Sequence, residues 1–221
     1  MDQVTAYSRS QTAVASTNKV LKNTYMLLAM TLLFSAATAG LSMALNMPYI
    51  VSLGTSIAAL VLLWFVVPRT ANSAAGIFVV FAVTGLLGFG LGPILNHYLQ
   101  LPNGPQVVMM AMGGTGAIFL GLSAYVMTTR KDFSFMGGFL MVGILVGFLA
   151  SIGAAVFDLP GLSLAVSAMF VLLMSGLILY ETSNIIHGGE TNYILATVSL
   201  YVAIYNLFVS LLQLLGFASN D

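Results

Sequence analysis

The chain has 221 residues, of which 59% are apolar and only 5% charged, where a soluble domain carries roughly 25%. A water-soluble fold of this length could not hide so much apolar surface, so the composition specifies a polytopic membrane protein. Net charge is zero, no run of Lys or Arg occurs, and there is no cysteine; nucleic-acid binding, disulfides and thiolate metal sites are excluded.

Residues 1–24 are rich in Ser, Thr, Asn and Gln and have little to bury. They read as a cytoplasmic polar tail that is mobile, with a merely solvated end as the alternative. The membrane domain is placed at 25–216 and a short external tail at 217–221. The first apolar stretch is too long for the core of a signal peptide and is followed by others, so it reads as a retained anchor.

A helix needs about 20 apolar residues to cross about 30 Å of hydrocarbon. Stretches of that kind lie near Tyr25–Leu45, Tyr49–Val67, Ala74–Leu95, Val107–Met127, Gly137–Phe157, Leu162–Ile186 and Tyr193–Leu215. The expected architecture is therefore an all-α membrane bundle of seven transmembrane helices. Its breaks carry helix-stopping residues: Asn46-Met47-Pro48, Pro68-Arg69, Asn96-His97, Pro102-Asn103-Gly104-Pro105, Arg130-Lys131-Asp132, Asp158-Leu159-Pro160 and His187-Gly188-Gly189-Glu190.

The basic residues fall on one side. Arg9, Lys19 and Lys22 precede the first span, Arg69 follows the second, and Arg130 and Lys131 follow the fourth, whereas the breaks after spans one, three and five have none. The positive-inside rule then predicts a cytoplasmic N-terminus and, after seven spans, a C-terminus outside.

Within the bilayer, spans associate through small residues that let backbones approach. Such residues recur every fourth position at Gly88 and Gly92 in the third span, at Gly113, Ala117 and Gly121 in the fourth, and at Gly143, Gly147, Ser151 and Ala155 in the fifth. All three stripes are expected to be packed against neighbouring helices.

The seventh span carries Asn192, Ser199, Asn206, Ser210 and Gln213. At about 100° per residue they fall within a sector of roughly 60°. Lipid offers such groups no partners, so the stripe should face the bundle interior, either bonding across a dry core or lining a wet cavity. Both readings make the last helix central.

Glu181 is the one carboxylate set well inside an apolar stretch. A charge at the centre of a spanning helix costs about 2.5–3.5 kcal/mol, which marks it as a candidate functional group. Since the sixth span runs inward from Leu162 to His187, Glu181 should lie near its cytoplasmic end. Arg69, at the inner end of the second span, is the basic residue at comparable depth and the expected partner. Together with Ser199, Asn206, Ser210 and Gln213 these two residues form the candidate polar site within the membrane.

No catalytic constellation is found, and neither a metal nor another cofactor is expected. His187 and Glu190 are three apart, but the intervening Gly-Gly makes a turn rather than a ligand pair, and His97 lies at the other side of the membrane. Ser123 has no base within reach, and Asp158 sits at the opposite depth from Glu181, too far to share a proton. The chain reads as a binding protein rather than an enzyme.

Three segments are similar to motifs of the Bax-inhibitor family of seven-helix membrane proteins. Gly176-Leu-Ile-Leu-Tyr180-Glu181-Thr182, continuing to Ile185 and Gly188, resembles its signature. Ser199-Leu200-Tyr201 with Asn206-Leu207-Phe208 and Leu211-Leu212 resembles its last helix, and Arg130 to Gly138 its fourth connecting loop. The likeness runs nearly end to end. For a bacterial member the resemblance implies modulation of the membrane-anchored ATP-dependent protease FtsH, as its inhibitor and slow substrate. For other members it implies a pH-sensitive calcium, cation or proton leak, latched by an acid at the position of Glu181 and a second acid in the last helix. That second position is Ala203 here, a departure that weakens the leak reading. A lone glutamate is also a poor calcium site, since calcium takes six to eight oxygens.

Overall fold

The computed structural model describes residues 2–219, with side chains described over 17–219. Among these residues there are no strands, and seven helices are long and apolar enough to cross a membrane. They are α1 (Asp2–Ala44), α2 (Tyr49–Thr70), α3 (Ala75–Leu99), α4 (Gly104–Thr129), α5 (Gly137–Val156), α6 (Pro160–Ile186) and α7 (Tyr193–Ala218).

The polar leader and the first span share one continuous helix, so no break marks the boundary drawn at residues 24 and 25. Most side chains of the expected tail, residues 1–16, lie outside the described residues, as do the last two residues of the expected external tail at 217–221.

The helix ends follow from local chemistry. Asn46, Arg130 and Asp158 close α1, α4 and α5 in the left-handed region with φ of 48°, 51° and 49°. Pro105 and Pro160 stand in the first turns of α4 and α6, where a missing N–H loses nothing. Gly188 at φ 78° takes the turn after α6. One expected break is absent. Asn96 and His97 continue α3 to Leu99, because neither residue stops a helix and the Pro102–Pro105 segment just beyond does.

Within α2 the turn Leu62–Val66 widens to a π-helix. Pro68 follows it; its ring crowds the carbonyl four residues earlier and it has no N–H to give, so the widened turn relieves both problems.

The bundle has two interlocked halves. α3 runs along α1 and α2, α6 runs between α5 and α7, and α7 packs against α1, α3, α4 and α6. α3 and α7 are the most deeply buried spans, and the last helix is central, as its polar stripe suggests. One apolar cluster unites Leu27, Leu28, Val80, Val83, Leu200 and Tyr201 across α1, α3 and α7.

Of the three small-residue stripes, that of α3 lies in contact, that of α5 does so at its two glycines while Ala155 is exposed, and that of α4 does not. A Cβ at Gly88 would collide with the Ser35 carbonyl and the Thr38 hydroxyl, and one at Gly92 with Ser42, so α1 and α3 meet at backbone distance. Gly143 and Gly147 face Leu173, Met169 and Phe170 of α6. In α4, by contrast, Gly113, Ala117 and Gly121 are exposed, and the two glycines have nothing within 4 Å. That stripe lies on the outer face. The contacts of α4 run instead through Val107, Ala111 and Val126, which are completely buried.

Candidate functional site

α6 and α7 are antiparallel, joined by a short turn that Asn192 organises. Its Oδ1 accepts from the N–H groups of Ile194 and Leu195, capping α7, while its Nδ2 donates to Ala71 O at 3.0 Å and Asn72 Oδ1 at 2.8 Å. The first residue of the polar stripe is therefore a cap and a tether to the α2–α3 turn. It does not belong to an intramembrane site.

From that turn the register places Ser199 beside Glu181, packs Ala203 against the same apolar group as Ile178, and bonds Gln213 to Ser167. Glu181 is 9% exposed and stands five residues before the end of α6, about 7.5 Å along the axis.

Arg69 takes another direction. Its side chain is exposed, and its guanidinium donates to the Phe65 carbonyl on its own helix. α2 packs on α3, on the side of the bundle away from α6, so a guanidinium rooted there has its own helix end within reach before the Glu181 carboxylate.

The remaining stripe residues divide into two polar ends with a dry middle. Gln213 forms the far end: its Oε1 accepts from Ser167 Oγ at 2.7 Å and its Nε2 donates to Ser163 Oγ at 2.5 Å. Ser210 is buried, and Asn206 turns its amide back to Val202 O on its own helix. Between Glu181 and Gln213 lie Leu140, Leu173, Met174, Ile178, Ala203 and Leu207, all 4% exposed or less. Ala203 itself is fully buried. An aqueous thread from one polar end to the other would have to pass through this packed apolar layer.

The opposite face of α7 holds a polar network that the stripe did not announce. The Tyr201 hydroxyl shares a 2.6 Å hydrogen bond with Ser35 Oγ and donates to Thr84 O at 3.2 Å, tying α7 to α1 and α3. The Tyr25 hydroxyl and Thr182 Oγ1 lie 3.2 Å apart and link α1 to α6, one residue beyond Glu181. Thr197 Oγ1 bonds Tyr193 O at 2.7 Å and reaches Thr24 O at 3.3 Å. The sequence signal for Tyr201 was weak, because a tyrosine in a span reads equally well as apolar filler.

Around the end of α6, Ser183 and His187 clasp the α4–α5 connection. Phe133 N donates to Ser183 Oγ at 2.9 Å, His187 Nδ1 lies 2.8 Å from Ser183 O, and Nε2 lies 3.1 Å from Arg130 O. In the same loop the Ser134 N–H donates to Asp132 Oδ1 at 2.8 Å, which holds that exposed carboxyl below its ordinary value. With Nε2–H donating to Arg130 O, Nδ1 faces Ser183, whose Oγ lies 3.3 Å from it, so His187 is a structural clasp. Among the described residues no group of three or more His, Cys, Asp or Glu side chains could hold a metal. Ser123 is buried, and among the described residues no basic side chain is hydrogen-bonded to its hydroxyl.

Comparison with known proteins gives a consistent result. A family model described as "Inhibitor of apoptosis-promoting Bax1" matches residues 17–220. The chain is 54% identical over 221 residues, all of both chains, to the "Modulator of FtsH protease YccA" of Escherichia coli K12. It is equally similar to a protein of Escherichia coli O6:H1 named "Inner membrane protein YccA". An uncharacterized membrane protein of Vibrio cholerae is 49% identical over 205 residues, 93% of this chain and 92% of the relative.

Proposed function

Since the chain belongs to the Bax inhibitor family, we propose that it is a multi-pass inner-membrane protein that binds and modulates an FtsH-type, membrane-anchored ATP-dependent protease. The observation that carries this reading is the 54% identity, over the whole of both chains, to a relative named as a modulator of that protease. The protein acts by occupation rather than by chemistry. The protease needs a polar segment to begin threading, and the leader of the first helix supplies one on the cytoplasmic side. The spans behind it resist extraction: α3 and α7 are the most deeply buried, and α7 holds four neighbours. A substrate that enters easily and yields slowly keeps the protease engaged, which is inhibition by a slow substrate.

The alternative is a pH-sensitive calcium, cation or proton leak, and the buried Glu181 is the feature that favours it. Two features weigh against it. Ala203 stands where a second acid would be needed, and the apolar layer around it separates Glu181 from Gln213. The protein in this reading has Glu181 as a polar member of a helix interface, with Ser199 at its side.

Affinity capture from solubilised membranes should return the protease, and deletion of residues 2–12 should lengthen the half-life of the protein several-fold while prolonging its occupancy of the protease. An unchanged half-life would remove the handle. Absence of the protease from the captured material, with calcium flux into liposomes that Glu181→Gln abolishes, would promote the leak.

A further inference from the structure

We propose that the cavity between the start of the α1 span, the end of α4 and the α6–α7 turn is a binding site for one anionic phospholipid, with its phosphate at Arg130 and its glycerol and upper acyl segment against the apolar wall. The cavity measures about 620 Å³. Its lining combines the apolar Leu21, Met127 and Ile186 with the polar Asn18, Arg130 and His187. Such a mixed lining fits an amphiphile. A soluble anion would have no use for the apolar wall, and a purely apolar ligand would have none for the guanidinium.

Its position is that of a headgroup. Arg130 is the residue after α4 ends and His187 the residue after α6 ends, while Asn18 stands in the polar leader of α1, ahead of the apolar stretch that begins at Tyr25. Arg130 and His187 mark the depth at which spans leave the hydrocarbon. Basic pockets between helices at that depth recognise anionic headgroups.

The lining carries one cation, Arg130, and one carboxylate, Glu190, and a further cation flanks it. Arg130 is exposed, and Lys22, one helical turn beyond Asn18 on α1, is a second exposed cation flanking the same wall. Glu190 is the carboxylate of the lining, and its Oε1 is taken by the Asn192 N–H at 2.6 Å, within its own turn. Lys131 is drawn away over the Tyr125 ring, 5.7 Å from its centroid, and leaves Arg130 as the cation rooted at the cavity wall.

The root is held in place. Arg130 adopts φ 51°, a strained conformation for a side chain of its size, and its carbonyl accepts from His187. The clasp thereby fixes the direction in which the guanidinium leaves the backbone. His187 is a positioning residue here, since its Nε2 is held by the Arg130 carbonyl.

Reconstitution into phosphatidylcholine vesicles doped with tail-spin-labelled phosphatidylglycerol or tail-spin-labelled phosphatidylcholine measures the site directly, through the immobilised fraction of each probe. The phosphatidylglycerol probe should be preferred. Arg130→Gln should lower the preference about fivefold, the factor equivalent to about 1 kcal/mol per cation at a membrane surface. Arg69→Gln, which removes an exposed cation from a different span end, should leave it unchanged. Should Arg130→Gln prove poorly folded, Leu21→Trp, which fills the apolar wall and keeps every charge, must also reduce the preference. Equal immobilisation of the two probes, or a preference that survives both substitutions, overturns the proposal. Loss of the preference on adding millimolar inorganic phosphate while sodium chloride at equal ionic strength has no effect would assign the cavity to a soluble anion and would equally overturn it.

Discussion

Two residues of α7, two positions apart and on different faces, show what a polar or apolar atom does at this depth. The Tyr201 hydroxyl satisfies Ser35 Oγ and Thr84 O, both in buried residues. Tyr201→Phe keeps the ring and removes the oxygen, so two buried polar groups lose a partner. The expected cost is about 1–3 kcal/mol, read as a lower midpoint of thermal unfolding in detergent. Ala203 makes the complementary case. Its methyl group is enclosed by Leu140, Leu173, Met174, Ile178 and Leu207. Ala203→Asp would restore the second acid, but in a layer with no donor to receive it, and a charge at the centre of a span costs about 2.5–3.5 kcal/mol. The variant should therefore unfold at lower temperature than the wild type at neutral pH. A variant that is equally stable and admits calcium would show that the layer is already wet. Glu181 was legible in the sequence because a charge in an apolar stretch is rare and expensive. Tyr201 was not, because its hydroxyl shows its value only once Ser35 and Thr84 are brought beside it.

Small residues at four-residue spacing specify a smooth face on a helix without specifying what that face meets. In α3 the stripe is filled by α1: Gly88 lies against the backbone of Ser35 so closely that even a methyl group has no room. In α4 the same spacing at Gly113 and Gly121 faces outward with nothing within 4 Å. Spacing is a property of one helix and contact is a property of two, which is why the sequence could not separate these cases. Substitution can. Gly88→Ala should destabilise by about 1–3 kcal/mol, since overpacking a rigid contact pushes two backbones apart. Gly121→Ala should be neutral or stabilising by up to about 1 kcal/mol, because alanine is the better helix former and meets no obstacle. Equal losses at both positions, measured as unfolding midpoints, would mean that α4 is packed on that face after all. The helix ends were more legible than the packing. Proline, glycine and left-handed asparagine or aspartate act on their own backbone, so Pro48, Pro105, Pro160 and Gly188 stand where the helices begin or turn. The exception is α3, which continues through Asn96 and His97 because neither stops a helix; the Asn96 Nδ2 donates to Met43 O at 3.2 Å and fastens the last turns of α3 to α1.

For the whole molecule the deciding property is the side of the membrane on which each end lies. The number of spans was readable because seven apolar stretches of sufficient length are separated by unambiguous stops, and the helices reproduce that number. Orientation rests on different physics, the bias of Lys and Arg toward the cytoplasmic side. Lys19, Lys22, Arg69, Arg130 and Lys131 all lie at one end of the bundle by alternation of the spans, and His97 and Asp158 lie at the other. The same end holds the start of the α1 span, the clasp of His187 on Arg130, and the leader that the modulator reading needs in the cytoplasm. If the bundle were inverted, the leader would be periplasmic, and a cytoplasmic ATP-driven protease would have nothing to thread from it. Orientation and function are thus tied, and one measurement bears on both. Alkaline phosphatase fused after Asp221 should be active, because it folds only outside the cytoplasm, while a green fluorescent fusion at the same point should stay dark. With the N-terminus, a fluorescent fusion before Met1 should glow. Inactive phosphatase and a bright C-terminal fusion would place the C-terminus inside; with seven spans the N-terminus would then be outside, and the entry-handle mechanism would fall with the topology.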